Sequence, residues 1–395
     1  MSKAGGAVRA RRDRFDEYRL KLVDGYAERL VTGMSTAQAG STRSLRGSRL
    51  VGSLVVLPVH LVTAASLVGG LYLLLWPHTW PERLAGALLL LVCYGTRPEI
   101  PKRPPYVARL KPETAPATFA LLEQVGDQVG APVPDEVLIS RKFNASVSRA
   151  GLRGRALELG APLWVAAGPQ ARIALLAHEL GHIAHRDLTS SLWVGSARHT
   201  LRKWDHVFRT PSMSTVGTTR NGAWGAGFAV LLSTLLFPLF RGVTGAYSSL
   251  VEWANAPAHR RQEMLADLDS ARVAGTDGAL ELFDTLLASM SVETSISSAA
   301  VDARRPDLWG VVTERLAARG PEERSRARAA AASERTRIDA SHPATTLRIR
   351  LVEGRPWETA ALAPDEDQWA AIDAELARPL AAAAKAIGER LRYRR

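Results

Sequence analysis

The sequence predicts an α+β protein, mostly helical with a small β-sheet, preceded by a transmembrane helical hairpin. Three observations predict it. A long uncharged apolar run opens at Leu50, and a second apolar run follows after a short turn. Downstream lie segments with helical hydrophobic periodicity, and between them two short β-type runs, Val137–Ser140 and Ala156–Leu159. The length, 395 residues, allows about two to three folded units.

Composition narrows the class. The hydrophobic share of 46% and charged share of 23% exclude a wholly disordered or collagen-like chain. One cysteine, Cys93, excludes an intramolecular disulfide and Cys-based zinc fingers. The net charge of +12 comes from arginines scattered along the whole chain. No nucleic-acid-binding pattern accompanies it, so no nucleic-acid partner is expected.

Residues 1–49 read as a charged N-terminal tail, with a helix over 14–32 and a flexible Ser/Thr/Gly stretch over 33–49. No apolar core lies near Met1, so no cleavable signal peptide is expected. From Leu50 to Trp76 no residue is charged, a length that crosses a bilayer core. A second span is expected over 79–96, although it includes Glu82 and Arg83. Arg43, Arg46 and Arg49 precede the first run; Arg97, Lys102, Arg103, Arg109 and Lys111 follow the second. By the positive-inside rule both flanks are cytoplasmic. The expectation is a multi-pass protein of the cell membrane, with the lipid bilayer as a partner and the following domain in the cytoplasm.

Residues 98–112, rich in Pro and basic residues, read as a linker. Helices are expected over Thr114–Val129, Pro162–Ala167, Ala171–Arg186, 257–274 and 278–290, and a closing helix over 366–392 with Pro379 inside it. Residues 209–222 read as a loop, and 300–338 as an Ala/Arg-rich polar region. A third apolar run, 223–253, is interrupted by Pro238 and Arg241 and reads as a hairpin insertion.

The strongest chemical signal is His178-Glu179-Leu180-Gly181-His182, inside an amphipathic helical segment. Four residues apart on a helix, both imidazoles project from one face and can meet one Zn²⁺. Glu179 can then reach a metal-bound water rather than the metal. A catalytic zinc needs a third protein ligand and one open position. His185, His199, His206 and Glu263 are the candidates. Glu263 is chemically the better placed. It sits in a helical segment one turn before Asp267, which suits a ligand carboxylate followed by a carboxylate that holds a ligand histidine's other N–H.

HELGH, followed by Arg260-x-x-Glu263-x-x-Ala266-Asp267 after a membrane hairpin, resembles the HtpX-type family of membrane zinc metalloproteases. These are gluzincins related to the CAAX prenyl endopeptidases. The resemblance covers roughly residues 100–355 and implies a zincin-like metalloprotease domain, set at 97–355, with a C-terminal helical extension over 356–395. Phe143-Asn144-Ala145 resembles the family's Asn-Ala element, which implies substrate binding by Asn144 and Ala145. Ser341-His342-Pro343 with Arg348 resembles its His-Pro…Arg element, which implies transition-state stabilisation by His342 and Arg348. The implied cofactor is one Zn²⁺ per chain, held by His178, His182 and Glu263, with Glu179 as catalytic base. The implied activity is endopeptidase cleavage of protein or peptide substrates, in membrane-protein quality control. An inactive relative serving as a membrane-bound scaffold is the alternative. Long spacing between His182 and Glu263, the tail and residues 300–338 depart from the family pattern, and no residue speaks to oligomeric state.

Overall fold

The structure, a computed structural model, describes residues 25, 28–29, 31–33, 42–76, 79–97, 103–151, 154–185, 187–207, 237–301, 307–333 and 343–392. Most of the helix expected over 14–32, the loop 209–222, residues 223–236 and His342 fall outside the described residues.

The chain divides into two compact units. The first comprises Met1–Gly40, Ile100–Leu188 and His259–Arg395; the second comprises Ser41–Glu99 and Thr189–Ala258.

The second unit is helical among its described residues. Helix α1 is Thr42–Leu75 and α2 is Trp80–Thr96. Thr79 and Glu82 form a capping box that starts α2, with Pro81 in its first turn. The two helices form a hairpin whose backbones nearly touch at two glycines. A Cβ on Gly70 would lie 3.0 Å from the Gly86 carbonyl oxygen, and one on Gly86 would lie 3.0 Å from that of Gly70. Small residues at such a crossing are how helices approach closely without a water-driven force. Within α1, Leu50–Leu75 is long and apolar enough to cross a membrane, and it leaves Leu54, Leu61, Val68 and Leu75 exposed. It is the one such helix among the described residues. Helix α2 has 17 residues, at the lower limit of the length that spans a bilayer.

One expectation is corrected here. Residues 42–49 were expected to be flexible but belong to α1, because the Ser and Gly among them lie next to a strongly helical run that propagates backward. The described part of the apolar run 223–253 is helical from Phe237 onward, with Pro238 at the edge of the described residues.

The first unit carries the sheet. Its strands are β1 (Ala108–Leu110), β2 (Glu136–Ser140), β3 (Ala145–Ala150) and β4 (Gly154–Gly160). Their order is β1-β2-β4-β3, with β2 and β4 parallel and the outer pairs antiparallel. The expected strands are thus the inner pair. Strand β1 corrects the linker reading of 98–112. Three residues beside prolines make no sequence pattern, and pairing with Val137–Ile139 makes them a strand.

Helix α3 (Pro116–Val129), α4 (Ala161–Ala166) and α5 (Pro169–Ala184) build the core against this sheet. Leu122, Val125, Val137, Ile139, Leu157, Leu159, Trp164, Ile173, Leu176 and Leu180 form one buried cluster. Ile173, Leu176 and Leu180 follow the helical repeat, and burying each stabilises by about 1.5–3 kcal/mol. Helix α6 is Asp187–Val207. Helix α7 runs Phe237–Leu287, broken only at Gly275, whose φ of 79° ends the expected 257–274 helix in a left-handed residue. The remaining helices are α8 (Ser289–Val301), α9 (Leu308–Ala317), α10 (Pro321–Ser333), α11 (Thr345–Glu353) and α12 (Glu366–Arg392). The polar region 300–338 is therefore largely helical where described. The closing helix holds its expected bounds, with Pro379 inside it.

Candidate metal centre

Helix α5 begins where the sequence changes from Ala-Gly to Pro-Gln. Gly168 is its N-cap and Pro169 its first residue. A Cβ on Gly168 would fall 2.2 Å from Glu281 Oε1, so a larger residue there would displace that carboxylate from the helix start. Burial raises the Glu281 pKa against the lowering effect of the Gly168 N–H.

Two turns along, α5 presents His178, Glu179 and His182. Helix α7 supplies Glu263 opposite them. One ligand atom from each of His178, His182 and Glu263 lies within 4.8 Å of the others. The two Nε2 atoms are 3.3 Å apart. Glu263 Oε2 is 3.7 Å from Nε2 of His178, and Oε1 is 3.6 Å from Nε2 of His182. His178 and Glu263 are buried, while His182 is partly open to solvent.

Asp267, one turn after Glu263, is fully buried and 3.0 Å from Nδ1 of His178. A carboxylate there accepts the Nδ1–H and leaves the Nε2 lone pair facing His182 and Glu263. Asp267 also accepts from Arg348 on α11, through Nε at 2.9 Å and Nη2 at 2.5 Å. Burial pushes the Asp267 pKa up, but the Arg348 charge and the hydrogen bonds from His178 and Arg348 outweigh it, and the carboxyl sits below its ordinary range. Burial, then the Arg348 charge, lowers the His178 pKa against the pull of Asp267. The imidazole is therefore kept neutral, the form that coordinates a metal.

Two imidazole nitrogens and a carboxylate, converging in a largely buried site, form a donor set suited to a divalent ion. Two His and one Glu with one side left open is a catalytic zinc pattern. The residues present therefore fit Zn²⁺.

Glu179 also reaches the sheet. Its Oε2 accepts the backbone N–H of Val147 on β3 at 3.1 Å. Among the described residues, strand β3 pairs on one side only, with β4, so its other side is the open edge of the described sheet. Ala145 opens that strand, opposite Leu159, and is buried; Asn144 just before it is exposed, its carbonyl accepting the Gly160 N–H at 2.8 Å. A Cβ on Gly160 would lie 1.9 Å from the Lys142 carbonyl oxygen, which fixes glycine at this bend.

The structure thus brings together His178, Glu179, His182, Glu263, Asp267 and Arg348, with Asn144 and Ala145 at the start of the neighbouring strand. His185 is not among the converging donors. It caps α5 and pairs with Asp269 at 2.9 Å. His199 and His206 belong to α6 in the second unit. Arg348 is engaged by Asp267 rather than standing alone. The sequence reading missed His259, whose Nδ1 is 3.6 Å from Glu263 Oε1. Its position one turn before Glu263 was the available signal. It also missed the Val147 amide, which carries no side-chain signal at all.

A helix bearing two histidines and a glutamate, crossed by a second helix bearing a carboxylate and packed beside a small mixed sheet, defines a metallopeptidase. The family model described as Peptidase family M48 matches residues 119–355, and the chain belongs to that family. No curated protein and no solved structure matches it.

Proposed function

We propose that this chain is a membrane-anchored zinc endopeptidase that hydrolyses peptide bonds of protein substrates, with quality control of membrane proteins as its role. The observation that carries the reading is the convergence of His178, His182 and Glu263, with Glu179 beside them and turned toward an open strand edge.

When bound, Zn²⁺ supplies Lewis-acid polarisation of the scissile carbonyl and acidifies a water. His178, His182 and Glu263 would hold it, and Asp267 would fix the His178 ring. Glu179 takes the proton of the attacking water and passes it to the leaving amine. The substrate lies extended along β3, with Asn144 and Ala145 at one end of its track. By resemblance, His342 and Arg348 steady the oxyanion.

The fragment 97–355 serves as the peptidase domain, and 356–395 as its helical extension. The first hairpin anchors the chain with two crossings, 50–76 and 79–96. The insertion 223–253 returns to the side it left, since His182 and Glu263 share one metal. The basic flanks put the active site in the cytoplasm, beneath the plasma membrane.

The test uses the full chain purified in detergent. Wild type binds one zinc per chain and cleaves an unfolded, casein-like substrate. Glu179→Gln keeps the metal and loses about 10²–10⁴-fold in rate, the usual share of a general base. Equal behaviour of the two proteins, with zinc bound in both, overturns catalysis and favours a scaffold.

A further inference from the structure

The Glu263 carboxylate has two oxygens with different neighbours. Oε2 faces Nε2 of His178, at 3.7 Å. Oε1 faces two imidazoles, Nε2 of His182 at 3.6 Å and Nδ1 of His259 at 3.6 Å. His259 lies one turn before Glu263 on α7, so the regular helix, not a loop, sets its position. It stands outside the converging group formed by His178, His182 and Glu263. Its side chain is 42% exposed, against 2% for that of Glu263. It therefore reaches the buried carboxylate from the solvent side, with little of the burial cost a polar side chain normally carries.

We propose that His259 is a positioning residue for Glu263, and that it sets how tightly the site holds its divalent ion. This rests on the metallopeptidase reading above. Nδ1 lies 3.6 Å from Oε1, ion-pair range rather than hydrogen-bond range, and a closing of a few tenths of an ångström makes an Nδ1–H a donor to Oε1. A donor beside one carboxylate oxygen restrains the group's rotation and decides which oxygen faces the other ligands. Partners of this kind around metal sites typically govern 10–100-fold in affinity. The companion histidine on this helix pair, His185, is already committed to Asp269. Beyond the two ligand histidines, His259 also stands against the ligand carboxylate.

The experiment measures zinc dissociation constants by chelator competition for the full chain in detergent, comparing wild type, His259→Leu and His259→Asn. Circular dichroism confirms folding of each. The expected result is that Leu weakens zinc binding 10–100-fold. Asn, whose amide N–H stands near where Nδ1–H was, restores most of it. Unchanged affinity in the Leu variant overturns the proposal, as does an Asn variant as weak as Leu, because either shows that donation to Glu263 is not what matters. A wild-type chain that binds no zinc overturns the metallopeptidase reading and this one together. One zinc on wild type with equal affinity in all three removes only the role of His259.

Discussion

Gly181 and Ala266 are in backbone-level contact: a Cβ placed on Gly181 would stand 3.3 Å from Cα of Ala266 and 3.4 Å from its Cβ. Both residues sit inside the metal-site motifs, between Leu180 and His182 on α5 and between Glu263 and Asp267 on α7. The glycine therefore sets the separation of the two helices at the level of the metal. Gly181→Ala asks α7 to retreat by a few tenths of an ångström. Gly181→Val asks for more, and β-branching is also poorly tolerated in a helix. We expect zinc affinity to fall in the order Gly, Ala, Val, with the largest step at Val, measured by chelator competition. Equal affinity in all three proteins refutes the idea that this contact sets the site.

Asp267 and Arg348 form a buried ion pair. Removing one partner leaves an uncompensated buried charge. Arg348→Ala is expected to destabilise the metal-free protein by about 3–5 kcal/mol. Asp267→Asn is expected to do likewise and also to weaken zinc binding 10–100-fold, because the amide no longer fixes the His178 ring as a carboxylate does. Denaturant unfolding separates the first effect, and metal titration the second. A stable Asp267→Asn protein with wild-type zinc affinity contradicts the assignment.

The metal-free protein should lose stability in acid for two reasons of the same sign. His178 is depressed below its ordinary value of 6.5, so the unfolded chain takes up its proton first, and the native state becomes relatively less stable as pH falls below that value. Asp267 is depressed below 3.8, so its contribution is present above that value and is lost as pH falls through the lower folded pKa. Urea unfolding at a series of pH values should show the decline beginning near neutrality. In Asp267→Asn the acidic part of the decline should shrink.

Helix α3 is capped from a distance. Its own N-cap, Ala115, has no capping side chain. Glu375 of α12 accepts the backbone N–H groups of Ala117 at 2.7 Å and Thr118 at 2.8 Å, and the Thr118 hydroxyl at 2.7 Å. Glu375→Ala should cost about 0.5–2 kcal/mol, the range of a lost cap, read as a lower urea midpoint at unchanged slope. An unchanged midpoint shows that water replaces the carboxylate fully.

Much of the site was legible because its signals are local. His178, Glu179 and His182 are three residues on one helix, and helical spacing alone aligns the imidazoles. Leu50–Leu75 announced itself by length and lack of charge. Glu263 and Asp267 were legible as a pair one turn apart. Strand β3 was not, because ASVSRA alternates only over Ala145–Ser148 and has Val147 as its one large apolar residue; it is a strand because β4 offers it a ladder. Strand β1 hid for the same reason, among prolines.

The sequence by itself determined the donor types, their helical phase and the long apolar run, since each depends only on neighbours along the chain. Tertiary structure alone decided that Glu263 meets the two histidines, that Arg348 binds Asp267, and that Glu375 caps α3. Those pairings join residues far apart in the chain. Helix crossing distance and buried volume choose such partners, and no local pattern encodes either.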